Sequence, residues 1–183
     1  MAMVLTVPRY TVADLERFPS DGQRYELLDG MLLVTPSPGM DHQVVATRLA
    51  TALARALEAR PDIQVVGPCV WVREPGTRRQ PYVMGDRAAG PLTSSWNELR
   101  EIWLAVEVLS PSSRIYDREF KRDAYLALGV AEVWLVDLAE RAVLVSRAGR
   151  PVDERVTGVL PWHLPSLDAP IEFDLSQLFA DLA

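Results

Sequence analysis

The sequence predicts a mixed α/β fold in a single domain, because helical and strand patterns alternate along most of its 183 residues. From Asp41, a candidate N-cap, apolar residues recur through Leu57 at the spacing of one helical face. The segment Ile102–Leu109 is instead an almost continuous apolar run, which is typical of a central strand covered on both faces. We expect a core in about residues 10–147, with a C-terminal extension, residues 149–183, packed on it.

The first elements of the chain are predicted to be a short helix and a hairpin. Thr11 followed by Asp14 has the spacing of a capped helix start. Two apolar runs, residues 25–28 and 31–34, then flank Asp29-Gly30, the pair typical of a type I′ turn. The sequence therefore predicts a peripheral helix followed by a β-hairpin.

Further short apolar runs predict the remaining strands. Beside the central strand, these are residues 63–66, 69–73, 80–84, 133–136 and 143–145, with a turn at 74–76 and a loop over 86–100. After a Ser-Pro-Ser-Ser loop, a helix is predicted from about Tyr116 to Leu128, ended by Gly129. The proline-rich tail ends in an amphipathic piece, residues 175–182, which we expect to pack on the outside.

Composition narrows the class of protein. A formal net charge of −6 argues against a protein that coats nucleic acid, since such proteins cluster Lys and Arg against phosphates, but it allows an enzyme that contacts nucleic acid locally. The single Cys69 has no Cys or His neighbours at metal-ligand spacing and suits a reducing compartment. No stretch has the length of a signal peptide or membrane span. We expect a cytoplasmic protein that makes no contact with membranes.

Two charged residues stand out. Glu107 is the one charge in the central strand, and an ionised carboxylate among apolar neighbours needs a partner or a metal ion. Lys121 is the only lysine among 19 basic residues, and lysine is a compact charge whose pKa moves on burial. The loop between strand and helix allows the two to meet, with Tyr125 one turn beyond the lysine on the same face. The alternatives are a Glu107 that faces water or an arginine, and a surface pair between Lys121 and Asp117.

Several ordered blocks of the chain fall between about Tyr10 and Arg147. They are Arg24 to Gly30, Pro36-Ser37-Pro38 with His42, Gln80-Pro81, Val106 to Ser112, Lys121 with Tyr125, and Gly129 to Asp137. In these blocks the chain resembles the Uma-two family, within the PD-(D/E)XK nuclease superfamily. The resemblance implies a restriction-endonuclease-like fold, a mixed β-sheet core flanked by helices with an N-terminal β-hairpin.

The same resemblance implies a metal-dependent endonuclease. In the family, the Glu matched by Glu107 and an Asp after the Gln-Pro pair bind Mg²⁺ (or Mn²⁺), and the helix lysine matched by Lys121 assists the attacking water. The lysine usual two residues after the Glu is replaced by Leu109, so the amine comes from the helix. Glu26 matches an upstream acid that orients the lysine or holds a second ion, or it is a surface carboxylate of the hairpin. The implied partners are nucleic acid, most often DNA, and a second copy in a homodimer.

The main departure from the family pattern is Tyr82, which follows Gln80-Pro81 at the position of the metal-binding Asp. A phenol with a pKa near 10 is a poor ligand for a hard divalent ion. Asp86 lies four residues on, roughly 13 Å along a strand at ~3.3 Å per residue, and could substitute only through a register shift at Gly85. The alternative function is therefore a catalytically lapsed nuclease fold that acts as a binding or assembly module.

The other candidates have both structural and functional interpretations. His42 opens the long helix and is either catalytic or structural. Gln80 and Tyr125 are candidates because they belong to the matching blocks. Five arginines are candidate phosphate contacts, or simply solvated side chains: Arg78, Arg79, Arg114, Arg118 and Arg122.

Overall fold

The described residues form a six-stranded mixed sheet, a four-stranded sheet and, in the C-terminal tail, a two-stranded sheet. A computed structural model describes residues 9–28, 30–35, 37–60, 63–66, 71–73, 77–79, 83–87, 102–110, 117–150, 152–164 and 166–182. In chain order the elements are α1 (Val12–Leu15), β1 (Arg24–Leu28), β2 (Met31–Thr35), α2 (Met40–Ala56), β3 (Ile63–Val66), β4 (Trp71–Arg73), β5 (Thr77–Arg79), β6 (Val83–Arg87), β7 (Ile102–Leu109), a π-helical turn (Asp117–Lys121), α3 (Arg122–Ala127), β8 (Glu132–Asp137), β9 (Ala142–Arg147), β10 (Glu154–Val156), β11 (Val159–Trp162), β12 (Ile171–Asp174) and α4 (Leu175–Leu178).

The six-stranded sheet has the order β10-β9-β8-β7-β6-β3. Strands β7 and β8 pair in parallel and the other neighbours pair antiparallel, so the sheet is mixed. The two parallel strands are almost wholly buried. Their apolar runs are long because both faces of the sheet are covered, as the sequence predicted for Ile102–Leu109.

Each face of this sheet has its own hydrophobic cluster. One face carries Val106 and Trp134 and packs against α2 and the C-terminal tail. The opposite face carries Ala105 and Leu135 and packs against Tyr125 of α3. Because side chains alternate along a strand, Glu107 shares the second face with Ala105 and Leu109. The alternation thus directs one carboxylate toward α3.

The N-terminal elements form as predicted. Thr11 caps α1, with the Thr11 side chain accepting from the Asp14 backbone and the Asp14 carboxylate accepting from the Thr11 backbone. β1 and β2 form an antiparallel hairpin, in which Gly30 has a φ of +79°. This hairpin is joined to β4 and β5 in a sheet of order β2-β1-β5-β4.

Before the C-terminal tail, the structure differs from the predicted elements in three places. Residues 77–79 form a separate strand, β5, in the four-stranded sheet, and the following strand extends to Arg87 in the larger sheet. The N-cap of α2 is Gly39, so Asp41 lies in the first turn, where its charge still favours the helix dipole. The predicted helix over 116–128 contains a π-helical turn before α3 begins.

The C-terminal tail contributes to the main core. It contains the short strands β10, β11 and β12, which the sequence did not predict. Trp162 contacts Trp134 edge to face, with ring centroids 6.0 Å apart, and Phe173 contacts the same indole at 5.6 Å. Aromatic pairs in this geometry are favourable beyond their burial. The tail therefore does more than cover the outside of a finished core.

No helix in the described part of the chain combines the length and apolar character needed to cross a membrane.

Candidate functional site

Glu107 is a buried carboxylate near the carboxyl end of β7. Its side chain is 1% exposed, and its register partner on β8 is Leu135. A buried carboxylate is costly unless it is paired and hydrogen-bonded. Its partners come from the π-helical turn and from α3.

Lys121 and Tyr125 both reach the same oxygen of Glu107. Lys121 is the last residue of the π-helical turn, and its Nζ lies 3.3 Å from Oε1 of Glu107. Tyr125 is one turn further along and donates its hydroxyl to that oxygen over 2.6 Å. The spacing of four residues aligns both groups on the helix face that covers the sheet. The meeting of Glu107 with Lys121, expected from the sequence, is present.

Glu26 joins the cluster from the hairpin. Its Oε2 lies 2.9 Å from Nζ of Lys121, and both side chains are less than 5% exposed. The surface alternative for Glu26 is therefore wrong, as are the water-facing alternative for Glu107 and the surface alternative for Lys121. Two carboxylates and one ammonium leave a formal charge of −1 on this buried cluster. We refer to Glu26, Glu107 and Lys121 as the acid-lysine cluster.

His42 lies next to the same strand, on α2. It is 5% exposed and makes a hydrogen bond with the backbone of Val108, one residue beyond Glu107. Burial lowers the pKa of His42 to about 4, the positive charge of Arg24 acts in the same direction, and the hydrogen bond to Val108 opposes both. The imidazole is therefore neutral near pH 7, and it ties the start of α2 to the strand of the cluster.

Gln80 and Tyr82 lie outside the described residues. The pairing of β6 with β7 nevertheless shows whether Asp86 could take the place of the missing ligand. Val83 pairs with Val106, and a register irregularity falls between Gly85 and Asp86, where the sequence allowed a bulge. Asp86 nevertheless pairs with Ile102. Ile102 is five residues from Glu107, about 16 Å along β7 at ~3.3 Å per residue. Asp86 therefore cannot complete the cluster.

Several polar contacts outside the acid-lysine cluster were missed from the sequence. Arg122, considered there as a phosphate contact, binds Asp153 and Ser146. On the opposite face, buried Glu132 accepts from the indole of Trp134 and from Arg147. The partners of Arg122 are 24 and 31 residues away, so no local spacing could reveal them. The buried Ser146, at 1% exposure on an apolar strand, was the available signal.

The donor set of the cluster has the chemistry of a Mg²⁺ or Mn²⁺ site. Its two carboxylates provide hard oxygen ligands with an excess of negative charge. Among the residues that the structure describes, no three His, Cys, Asp or Glu side chains converge as a metal cage. Mg²⁺ in phosphate-processing enzymes is commonly held by one or two carboxylates, with water and substrate completing its coordination. The residues present fit this kind of ion.

The mixed sheet, the flanking helices and the hairpin define a protein of the restriction-endonuclease-like fold class. The chain belongs to the Uma2 (Uma-two) family, whose model, described as "Putative restriction endonuclease", matches residues 12–176. Among solved structures, it is similar to "a putative nuclease belonging to DUF820" from Anabaena variabilis, with a TM-score of 0.70, 16% identity, and coverage of 92% of this chain and 97% of that one. At this identity the likeness shows the fold. No curated protein matches the chain. The family and fold expected from the sequence are confirmed.

Proposed function

We propose that this protein is a divalent-metal-dependent endonuclease that hydrolyses phosphodiester bonds, with DNA as the substrate. The observation that supports this most directly is the buried Lys121 between Glu107 and Glu26, at 3.3 and 2.9 Å. Membership of a family described as "Putative restriction endonuclease" supports the same reaction.

The energetics of the acid-lysine cluster favour a functional role. Bringing three charges out of water costs several kcal/mol per ion, and well-packed apolar residues commonly give equal or greater stability. A stability role alone is therefore a weak reason for the cluster. A site that has to bind a cation and a phosphate needs such groups in place before the substrate arrives.

Each residue has a distinct role in the proposed reaction. Glu107, with Glu26 beside it, would hold the Mg²⁺ or Mn²⁺ ion, which when bound supplies Lewis-acid stabilisation of charge on the phosphate. Lys121 stabilises the negative charge that develops on the phosphate oxygens and orients the attacking water. Tyr125 fixes the Glu107 carboxylate by donating to Oε1.

The experiment is a nicking assay on supercoiled plasmid DNA in Mg²⁺ or Mn²⁺, comparing the native chain with Glu107→Gln and Lys121→Met. We expect the native chain to nick and both variants to lose at least about 10²-fold in rate, the scale associated with a single electrostatic catalytic group. The matched control is Glu132→Gln. Like Glu107, Glu132 is a buried carboxylate in an ion pair, in its case with Arg147, and it lies on the adjacent strand. The control should cut at nearly the native rate. Equal losses in all three variants would attribute the effect to folding and count against this site.

A second function is favoured by Tyr82. If a phenol at the family's Asp position has abolished metal binding, the chain is a lapsed nuclease fold that acts in binding or assembly. Tyr82→Asp separates the two functions in the same assay. Cleavage gained by Tyr82→Asp over an inert native chain supports the lapsed form, whereas nicking by the native chain that is lost in Lys121→Met supports the enzyme. If neither form cuts under any condition, the site assignment is wrong.

We also propose that the protein acts in the cytoplasm as a homodimer, on the basis of family resemblance and the single cysteine. Light scattering coupled to size-exclusion chromatography measures the oligomeric state directly. A monomeric mass at micromolar concentration would contradict the proposed dimer.

A further inference from the structure

We propose that Asp153 is a positioning residue that acts through Arg122 to hold the helix presenting Lys121 to Glu107. This inference rests on the proposed function, because its kinetic test needs a cleavage reaction. Asp153 lies just before β10, in the C-terminal tail, and no motif of the family resemblance includes it.

Asp153 is the shared acceptor in a polar network with Arg122 of α3 and Ser146 of β9. Its Oδ1 accepts from Nε and Nη2 of Arg122 at 2.8 and 2.6 Å, and from Oγ of Ser146 at 2.7 Å. Nε of Arg122 also lies 2.9 Å from Oγ of Ser146. Charge-assisted bonds of this kind are stronger and more directional than neutral ones. The network therefore joins α3 to β9 and to the tail.

The helix needs such support because it is short. α3 has six residues and follows a five-residue π-helical turn, whereas isolated helices shorter than ~12–15 residues are marginal in water. Tyr125 packs α3 onto the sheet on the side that faces Glu107. Successive helical residues lie about 100° apart, so Lys121 and Arg122 leave the helix in different directions. Holding Arg122 thus sets the rotation of the helix and with it the direction of Lys121.

The contacts of the Arg122 guanidinium favour a positioning role over phosphate binding. Nε and Nη2 of Arg122 are directed to Asp153, and Nη1 contacts Asp123. Two carboxylates already neutralise this guanidinium. A phosphate would have to displace one of them, so Arg122 is a poor candidate for substrate contact, unlike Arg118, which is exposed.

The test compares Asp153→Ala, Asp153→Glu and the control Glu154→Ala in steady-state nicking and in amide hydrogen exchange. Glu154 is the next residue, and Glu154→Ala removes a comparable ion pair between the tail and the sheet. In that pair Nη1 of Arg147 lies 3.0 Å from Glu154, and α3 is not involved. We expect Asp153→Ala to lower kcat by roughly 10²-fold, the scale of a misplacement of about 1 Å at a catalytic group, with KM nearly unchanged. Asp153→Glu should recover much of the loss because it restores the carboxylate. Exchange should accelerate over residues 122–128 in Asp153→Ala only.

The possible outcomes distinguish the alternatives. A raised KM with native kcat would overturn the inference in favour of substrate contact by Arg122. If Asp153→Ala lowers Tm but keeps the native kcat, or if Glu154→Ala loses kcat equally, the role of Asp153 is structural and the inference is wrong. If the native chain does not cut DNA, the proposed function fails, and exchange alone decides the role of Asp153. Unchanged exchange over 122–128 in Asp153→Ala would then overturn it.

Discussion

Tyr125 donates its hydroxyl to the buried Glu107 carboxylate over 2.6 Å, shorter than the 3.3 Å contact from Lys121 to the same oxygen. The phenol, which is 1% exposed, is thus as much a partner of the acid as the ammonium is. A buried acceptor that loses such a donor keeps the full cost of its desolvation. The stability of the site therefore depends on a residue with no charge of its own.

Removal of this hydroxyl is expected to destabilise the fold. Tyr125→Phe should lower the free energy of unfolding by about 1–3 kcal/mol, because the buried acceptor is left with one donor fewer. Urea denaturation measures the effect as a lower midpoint at constant m. Tyr25→Phe is the control, since the Tyr25 hydroxyl donates to Asp21 at 2.8 Å in an exposed position. Equal losses in the two variants would contradict the importance of burial.

The charges of the acid-lysine cluster should behave non-additively. Lys121→Met removes the ammonium that contacts both buried carboxylates and should cost about 3–5 kcal/mol, whereas the triple variant that adds Glu26→Gln and Glu107→Gln should be more stable than this single variant. Unfolding midpoints in urea provide the comparison. A triple variant with a lower urea midpoint than Lys121→Met would show that attraction between the charges of the cluster does not stabilise it.

Acid should weaken the fold through His42. Its pKa of about 4 in the folded chain lies below the ordinary value of 6.5, so between these values the unfolded chain binds a proton that the folded chain does not. The contribution of His42 to the free energy of unfolding is therefore fully present above about pH 6.5 and declines as the pH falls toward 4, by on the order of 3 kcal/mol in total.

The measurement for His42 is the unfolding free energy as a function of pH. His42→Gln should flatten the profile between pH 4 and about 6.5, and the same change at the exposed His163 is the matched control. If His42→Gln keeps the native dependence of the unfolding free energy on pH, the acid sensitivity comes from other groups.

Crowding at the hairpin turn gives a fourth prediction. Gly22 and Gly30 both have positive φ, +82° and +79°, but an added Cβ meets nothing within 4 Å at Gly22, whereas at Gly30 it lies 3.1 Å from Cδ of Arg9 and 3.3 Å from the carbonyl oxygen of Tyr10. Both alanine substitutions should cost about 1–2 kcal/mol for the left-handed backbone. Gly30→Ala should cost about 1 kcal/mol more, because Tyr10 is also bound to the Gly30 carbonyl at 2.8 Å. Thermal unfolding of the two variants tests the difference, and identical Tm values would refute it.

Sequence patterns predicted the elements whose signal is local. The bounds of β7 match the apolar run Ile102–Leu109, because a strand buried on both faces has no polar position to interrupt it. The hairpin followed from Asp29-Gly30 and its flanking runs. The meeting of Glu107 and Lys121 was also predictable, since a buried acid requires a partner and the helix after its strand carries the only lysine.

Other features depend on contacts between distant segments. No element was predicted for residues 77–79, because three residues carry little periodicity, yet Arg78 pairs with both Leu27 and Val72 in the second sheet. The tail strands are three or four residues long and include Pro161. The bond between Arg122 and Asp153 spans 31 residues and follows from sheet order alone. Tertiary placement determined these features, so no local pattern could.

The burial of the sole lysine has a practical consequence for chemical labelling. Lys121 is the one ε-amine of the chain, and its side chain is 3% exposed. Amine-reactive reagents such as succinimidyl esters can acylate it only when α3 opens, so the labelling rate at this position reports the frequency of local opening. The mass shift of the peptide that contains Lys121 thereby measures how often the acid-lysine cluster is exposed, without any probe having to be introduced.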